Sequence, residues 1–112
     1  MTGGDVILTP IPQADGSVKN PPAIVLREMP RYHDLLVCGV STQLRQRIEG
    51  FDEIISPGDS DFVGSGLLSE LLIRLGFLAV LPRKRIAGSI GAISSERHKR
   101  LLKRLSDYLV QT

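Results

Sequence analysis

Asn20-Pro21-Pro22-Ala23-Ile24-Val25-Leu26-Arg27-Glu28 and Leu35-Leu36-Val37-Cys38-Gly39-Val40-Ser41-Thr42-Gln43 are two apolar, β-branched runs separated by the polar break 29–34. Runs of six to eight such residues, bounded by proline and turn formers, read as neighbouring strands. Strands are therefore expected over 22–28 and 35–40, with a turn between them. The second is apolar at every position, as a strand covered on both faces must be.

Working outward, residues 5–12 (Asp5 to Pro12) predict a strand stopped by proline. Residues 13–20 form a loop around the turn signature Asp15-Gly16-Ser17. Downstream, 51–55 reads as a strand, 56–59 as a turn and 61–66 as a short helical or irregular link. Residues 67–75 and 77–81 read as one long strand with a bulge or bend at Gly76. A last short strand is expected over 86–93. Ser94 is a natural N-cap for a helix from about Ser95 to Val110, with the apolar stripe Leu101, Leu102, Leu105, Tyr108 and Leu109. Five to seven strands and one closing helix make a mainly β fold, a small twisted barrel with the C-terminal α-helix packed against it.

The 112 residues, 42% apolar and 23% charged, suit one domain (1–112) with its own core. The single Cys38 forms no internal disulfide, and inside a strand it reads as a small hydrophobe. His33 and His98 make no metal-ligand cluster, and His98 reads as a residue packed at the core edge. No apolar run reaches the roughly 20 residues that a membrane helix needs. With no leader pattern at the start, a soluble, cytoplasmic protein is expected.

The same runs resemble a known family. Gly4-Asp5-Val6-Ile7-Leu8 looks like the opening strand of the MazF/PemK ribonuclease toxins. Asn20-Pro21-Pro22-Ala23-Ile24-Val25-Leu26 is similar to their Arg-Pro-Ala-Val-Val-Leu motif, and Leu36 to Gln43 to their third strand. Gly66-Leu67 followed by Glu70 resembles their Gly-Leu-x-x-Asp strand. The resemblance runs from Gly4 to about Leu109. It implies an SH3-like barrel of the MazF/CcdB type, built as a homodimer. It also implies metal-free cleavage of single-stranded RNA without a cofactor, held silent by a cognate acidic antitoxin.

Such cleavage turns the 2′-hydroxyl on its own adjacent phosphate. It needs a proton acceptor, a proton donor and a cation for the pentavalent transition state. Arginine suits the last role because its planar fork pairs with phosphate oxygens at any cellular pH. By resemblance, Thr42 falls on the family's catalytic threonine, flanked by Ser41 and Gln43. The family arginine position is Pro21, which has neither charge nor side-chain donor. Severely reduced ribonuclease activity is the expectation, unless Lys19, Arg45 or Arg74 supplies the cation.

Asp15, Ser17, Lys19 and Asn20 lie on a loop similar to the family's substrate-gating loop. Arg45 and Arg47 could hold RNA phosphates, and Glu70 could accept a proton or read a base amine. Each has a plainer reading as a solvated turn, loop or strand-end group. Tyr32 and His33 sit in a hairpin loop from which they could stack on bases. Two other functions stay open: an RNA- or antitoxin-binding protein that does not cut, and, more distantly, a gyrase poison like the CcdB branch.

The formal charge of +2 hides an asymmetry. From Arg83 onward eight basic residues face two acids, a net of +6, while the first 82 residues carry −4. The basic end reads as a surface that attracts RNA or an acidic antitoxin.

Overall fold

A computed structural model describes residues 1–12, 16 and 18–111; of residues 11, 12, 18 and 19 it describes the backbone alone. Strands β1 (Asp5–Leu8), β4 (Pro22–Met29), β5 (Asp34–Ser41), β6 (Glu53–Ile55), β7 (Leu71–Leu81) and β8 (Gly88–Ala92) form one antiparallel sheet. Its order is β6-β7-β5-β4-β1-β8. The two runs that open the sequence are thus its central pair, with β7 and β6 added on one side and β1 and β8 on the other, all antiparallel. A separate two-stranded ribbon joins β2 (Ile11–Pro12) to β3 (Val18–Lys19). Helix α1 (Phe62–Ser65) and helix α2 (Ser95–Leu109) complete the chain.

Alternation along the strands divides the apolar residues between two faces. Val6, Ile24, Leu26, Cys38, Ile73 and Leu75 pack beneath Leu101 and Leu105 of α2. Ile7, Ala23, Val25, Leu35 and Val37 form a second cluster on the other face, against Leu81 and Ile86.

Several boundaries differ from expectation for local reasons. The run 5–12 is split by Thr9-Pro10, since proline cannot donate to the ladder, and its second half pairs with β3 instead. The long strand starts at Leu71 rather than residue 67, because α1 ends at Gly66 in a left-handed conformation. A β-carbon on Gly66 would lie 2.2 Å from the Ile90 carbonyl oxygen, and one on Gly91 2.2 Å from that of Gly64. Only two glycines let α1 approach β8 so closely. The expected bend at Gly76 is present. Cys38 faces Leu78 but Gly39 faces Arg74, so Leu75, Gly76 and Phe77 bulge out of the ladder.

Helix α2 starts as expected: Ser94 Oγ accepts from the Arg97 N–H at 3.1 Å. Its buried face is different. Arg97, Leu101 and Leu105 point inward, whereas Tyr108 and Leu109 are exposed, because the last turn runs beyond the sheet. His98 packs at the core edge, with Nε2 2.8 Å from the Leu26 carbonyl oxygen. No helix among the described residues is long and apolar enough to cross a membrane.

Candidate functional site

The face that carries Ala23, Val25 and Val37 opens into a cleft of about 800 Å³, lined by Thr9, Pro21, Gly39, Phe77 and Arg85 among others. The register sets out its floor. Ala23 faces Gly39, and Gly39 faces Arg74, so these three form one row across β4, β5 and β7. Ser41 faces Leu72 in the row beyond. The β4–β5 register carried past Ala23 brings Pro21 opposite Ser41. Of the expected site residues, Pro21, Ser41 and Thr42 therefore lie toward the same end of the central strand pair.

Pro21 is half-buried, and its carbonyl accepts from both the Thr9 N–H and the Thr9 hydroxyl at 3.2 Å. Proline suits this position because it needs no N–H there and its φ is preset for an extended chain. Thr42 is exposed just past β5. Ser41 Oγ accepts from the Gln43 N–H, and the Thr42 carbonyl from the Leu44 N–H, both at 3.0 Å, which turns the chain into the 3-10 turn Leu44–Gln46. Glu70, immediately before β7, holds the Ser56 hydroxyl at 2.6 Å. The β5–β7 register extended past Ser41 faces it with Gln43.

Other expected residues are placed elsewhere. Asp15 and Ser17 lie outside the described residues, and Lys19 lies in β3. Asn20 and Arg45 are exposed. Arg47 does not join the cleft; it lines a polar recess with Glu53, Asp59 and Arg100. Tyr32 and His33 lie at the far end of β4 and β5, about 25 Å from Pro21 at ~3.3 Å per residue. There His33 Nδ1 and Arg83 both bind Glu28. They take no part in this site.

The basic C-terminal third needs the largest correction. Arg97 is buried, with Nε 2.8 Å from Asp61 Oδ2, Nη1 2.8 Å from Glu53 Oε1 and Nη2 2.9 Å from Asp59 Oδ2. Arg100 and Arg104 reach the same Glu53 at 2.6 and 3.1 Å. Arg83 pairs with Glu28 and Lys103 with Asp107. Four of the eight basic residues, Arg83, Arg97, Arg100 and Arg104, are thus paired with acids of the −4 segment rather than left open to solvent partners.

Burial is the largest single influence on Glu53 and pushes its carboxyl up. Arg100, Arg104 and Arg97 together outweigh it and hold the pKa below the ordinary value. Asp61 shows the same balance, with burial opposed by Arg97 and the Ser94 N–H. A sign of this clamp was present in the sequence: Arg97, Arg100 and Arg104 share a helical face, and Glu53, Asp59 and Asp61 cluster upstream. Burial, reinforced by Asp52, pushes the Cys38 thiol up to about 12, as befits an inert core residue. Among the described residues no cluster of His, Cys, Asp and Glu is arranged to hold a metal.

Sequence reasoning also gave too little weight to Arg74 and Phe77. The Arg74 guanidinium carbon lies 3.7 Å from the centre of the Phe77 ring, and Nη1 is 3.4 Å from Gln46 Oε1. Gly39 makes room for this pair, since a β-carbon there would touch Phe77 at 3.4 Å.

No curated protein sequence matches the chain significantly. A solved structure, an endoribonuclease in complex with its cognate antitoxin from a Mycobacterial species, is similar in fold. Its TM-score is 0.65 at 13% identity, covering 100% of this chain and 97% of that one. A mainly β sheet with one closing helix is thus the expected MazF-type fold. The family model of PemK-like, MazF-like toxins matches residues 2–109 and so takes in both faces of the sheet, the cleft and the helix. The chain belongs to that family, the PemK-like and MazF-like toxins of type II toxin–antitoxin systems.

Proposed function

We propose that this toxin is a metal- and cofactor-independent endoribonuclease acting on single-stranded RNA at the end of β5. The observation that carries the reading is the family match over residues 2–109, which takes in Pro21, Thr42 and Glu70 together. The endoribonuclease of similar fold supports it. In this reading the 2′-oxygen bonds to phosphorus and the bond from phosphorus to the 5′-oxygen breaks. Glu70 accepts the 2′-hydroxyl proton, solvent protonates the departing 5′-oxygen, and Thr42 donates a hydrogen bond to the phosphate. Ser41, Gln43, Asn20 and Arg45 border the substrate path, and Asp15, Ser17 and Lys19 contribute further contacts to the RNA.

The protein is further proposed to act in the cytoplasm as a homodimer silenced by an acidic antitoxin. Exposed apolar residues on β7 (Leu78, Val80) and on the last turn of α2 (Leu109) support such contacts. Pro21 favours a second reading, in which the chain binds RNA or antitoxin without cutting. Cleavage of a fluorogenic single-stranded RNA by this chain and by Pro21→Arg separates the two. Turnover by either protein, abolished by Thr42→Ala, supports the nuclease. Salt-dependent RNA binding with no turnover by either establishes the second reading.

A further inference from the structure

We propose that Arg74 is the phosphate-binding cation of this site and takes over the role that Pro21 cannot perform. The inference rests on the ribonuclease reading above and extends it to one residue.

Three observations place Arg74 where that charge is needed. On β7, Leu71, Ile73 and Leu75 belong to the core beneath α2, so alternation turns Arg74 to the cleft face, the face of Ala23 and Val37. Ser41 faces Leu72 directly and is therefore the diagonal neighbour of Arg74. Diagonal neighbours in an antiparallel pair lie about 7–8 Å apart, within reach of a long side chain. Finally, the guanidinium contacts Gln46, so it leans toward the very segment that Thr42 begins.

The surroundings hold the group without consuming it. The guanidinium carbon lies over the Phe77 ring, and among the described residues its one polar contact is the long 3.4 Å bond from Nη1 to Gln46, which leaves donors for two phosphate oxygens. Among the described residues no carboxylate pairs with Arg74, unlike the arginines of α2. Position 21 approaches Ser41 from the β4 side, and Arg74 approaches it from the β7 side as its diagonal neighbour.

The other cations with described side chains fit less well. Arg85 lines the cleft from the loop before β8, which Ala87 ties to Leu8 of β1, the strand on the far side of β4 from Thr42. Arg45 is exposed on the 3-10 turn, and Arg47 belongs to the polar recess. In the proposed step Arg74 transfers no proton. It donates hydrogen bonds to the non-bridging oxygens, which gain charge as the pentavalent state forms.

The test is a two-by-two comparison of this chain, Arg74→Gln, Pro21→Arg and the double variant, all folded by circular dichroism. Each is produced in a cell-free system and assayed on a mixed-sequence fluorophore–quencher single-stranded RNA pool. Arg74→Gln is expected to lower kcat about 100-fold with Pro21 in place, and by less than about threefold in the Pro21→Arg background. Such dependence on the residue at position 21 is something a merely structural arginine would not show. Equal losses in both backgrounds, or no loss in either, overturn the proposal. Activity in Pro21→Arg but not in the unmodified chain overturns it while leaving the ribonuclease reading intact. Inactivity of all four overturns both.

Discussion

Replacing Arg97 by methionine removes one guanidinium but exposes the energetics of a whole helix–sheet joint. The side chain is 8% exposed, as are those of its partners Glu53 and Asp61. Methionine fills most of the volume and leaves the Asp61 carboxylate near the core without its bidentate partner. Breaking a buried pair from one side costs about 3–5 kcal/mol, since the remaining charge stays desolvated. Arg100 and Arg104 still reach Glu53, so the main orphan is Asp61, which keeps only the Ser94 N–H. The lower part of that range, about 3 kcal/mol, is therefore expected. A domain of this length has roughly 6–17 kcal/mol in all, so the loss is substantial.

The chain has no tryptophan, so urea unfolding followed by far-UV circular dichroism at pH 7 is the suitable assay. The midpoint should fall with an unchanged m-value, and Tm should drop by roughly 12 °C or more. Lys103→Ala, which breaks only the exposed pair with Asp107, should cost under about 0.5 kcal/mol. A loss below about 1 kcal/mol for Arg97→Met would refute the reasoning and mean that water reaches Asp61 and Glu53 freely.

The same clamp predicts acid sensitivity: Glu53 and Asp61 have folded pKa values below their ordinary 4.5 and 3.8. Their contribution is complete above those values and drains away as pH falls below them, so an acid titration should show a decline that Arg97→Met blunts. Gly66→Ala should destabilise by about 2–4 kcal/mol in thermal unfolding, because a β-carbon meets the Ile90 carbonyl and φ is +75°. Ser94→Ala removes the helix cap and should cost about 1 kcal/mol by urea titration. Cys38 should resist a thiol reagent at pH 8 until the protein unfolds, and fast native labelling would contradict its burial.

Strand identity was legible wherever burial acts through simple periodicity. The runs Ala23 to Leu26 and Leu35 to Val40 carry their own core, and the N-cap Ser94 and the bulge at Gly76 have local causes that a single sequence displays. What stayed hidden depends on distant pairings. The charge on Arg97 looks like a solvated helix face until Asp61 and Glu53 are brought 36 and 44 residues across to meet it. Likewise Arg74 is an unremarkable polar position in an apolar strand. Only the register with Gly39, and the bulge that lifts Phe77 beneath it, turn it toward the cleft. Thr42 was singled out through family likeness, while its surroundings required the sheet.

The two faces of the sheet separate stability from chemistry. The helix, the larger apolar cluster and the arginine clamp lie on one side, and the cleft with Pro21, Gly39 and Phe77 lies on the other, the face to which strand alternation turns Arg74. Position 21 contributes to the fold through its carbonyl, held by Thr9, and through an extended φ that proline already supplies. Its side chain faces the cleft, so the residue type there is free to change without disturbing the core. In the proposed reading, a cation absent from position 21 leaves the scaffold intact, and β7 offers a second approach to the same end of the sheet. Under the proposal above, the cation stands on β7 rather than at position 21, with β5 between the two approaches and no core residue displaced.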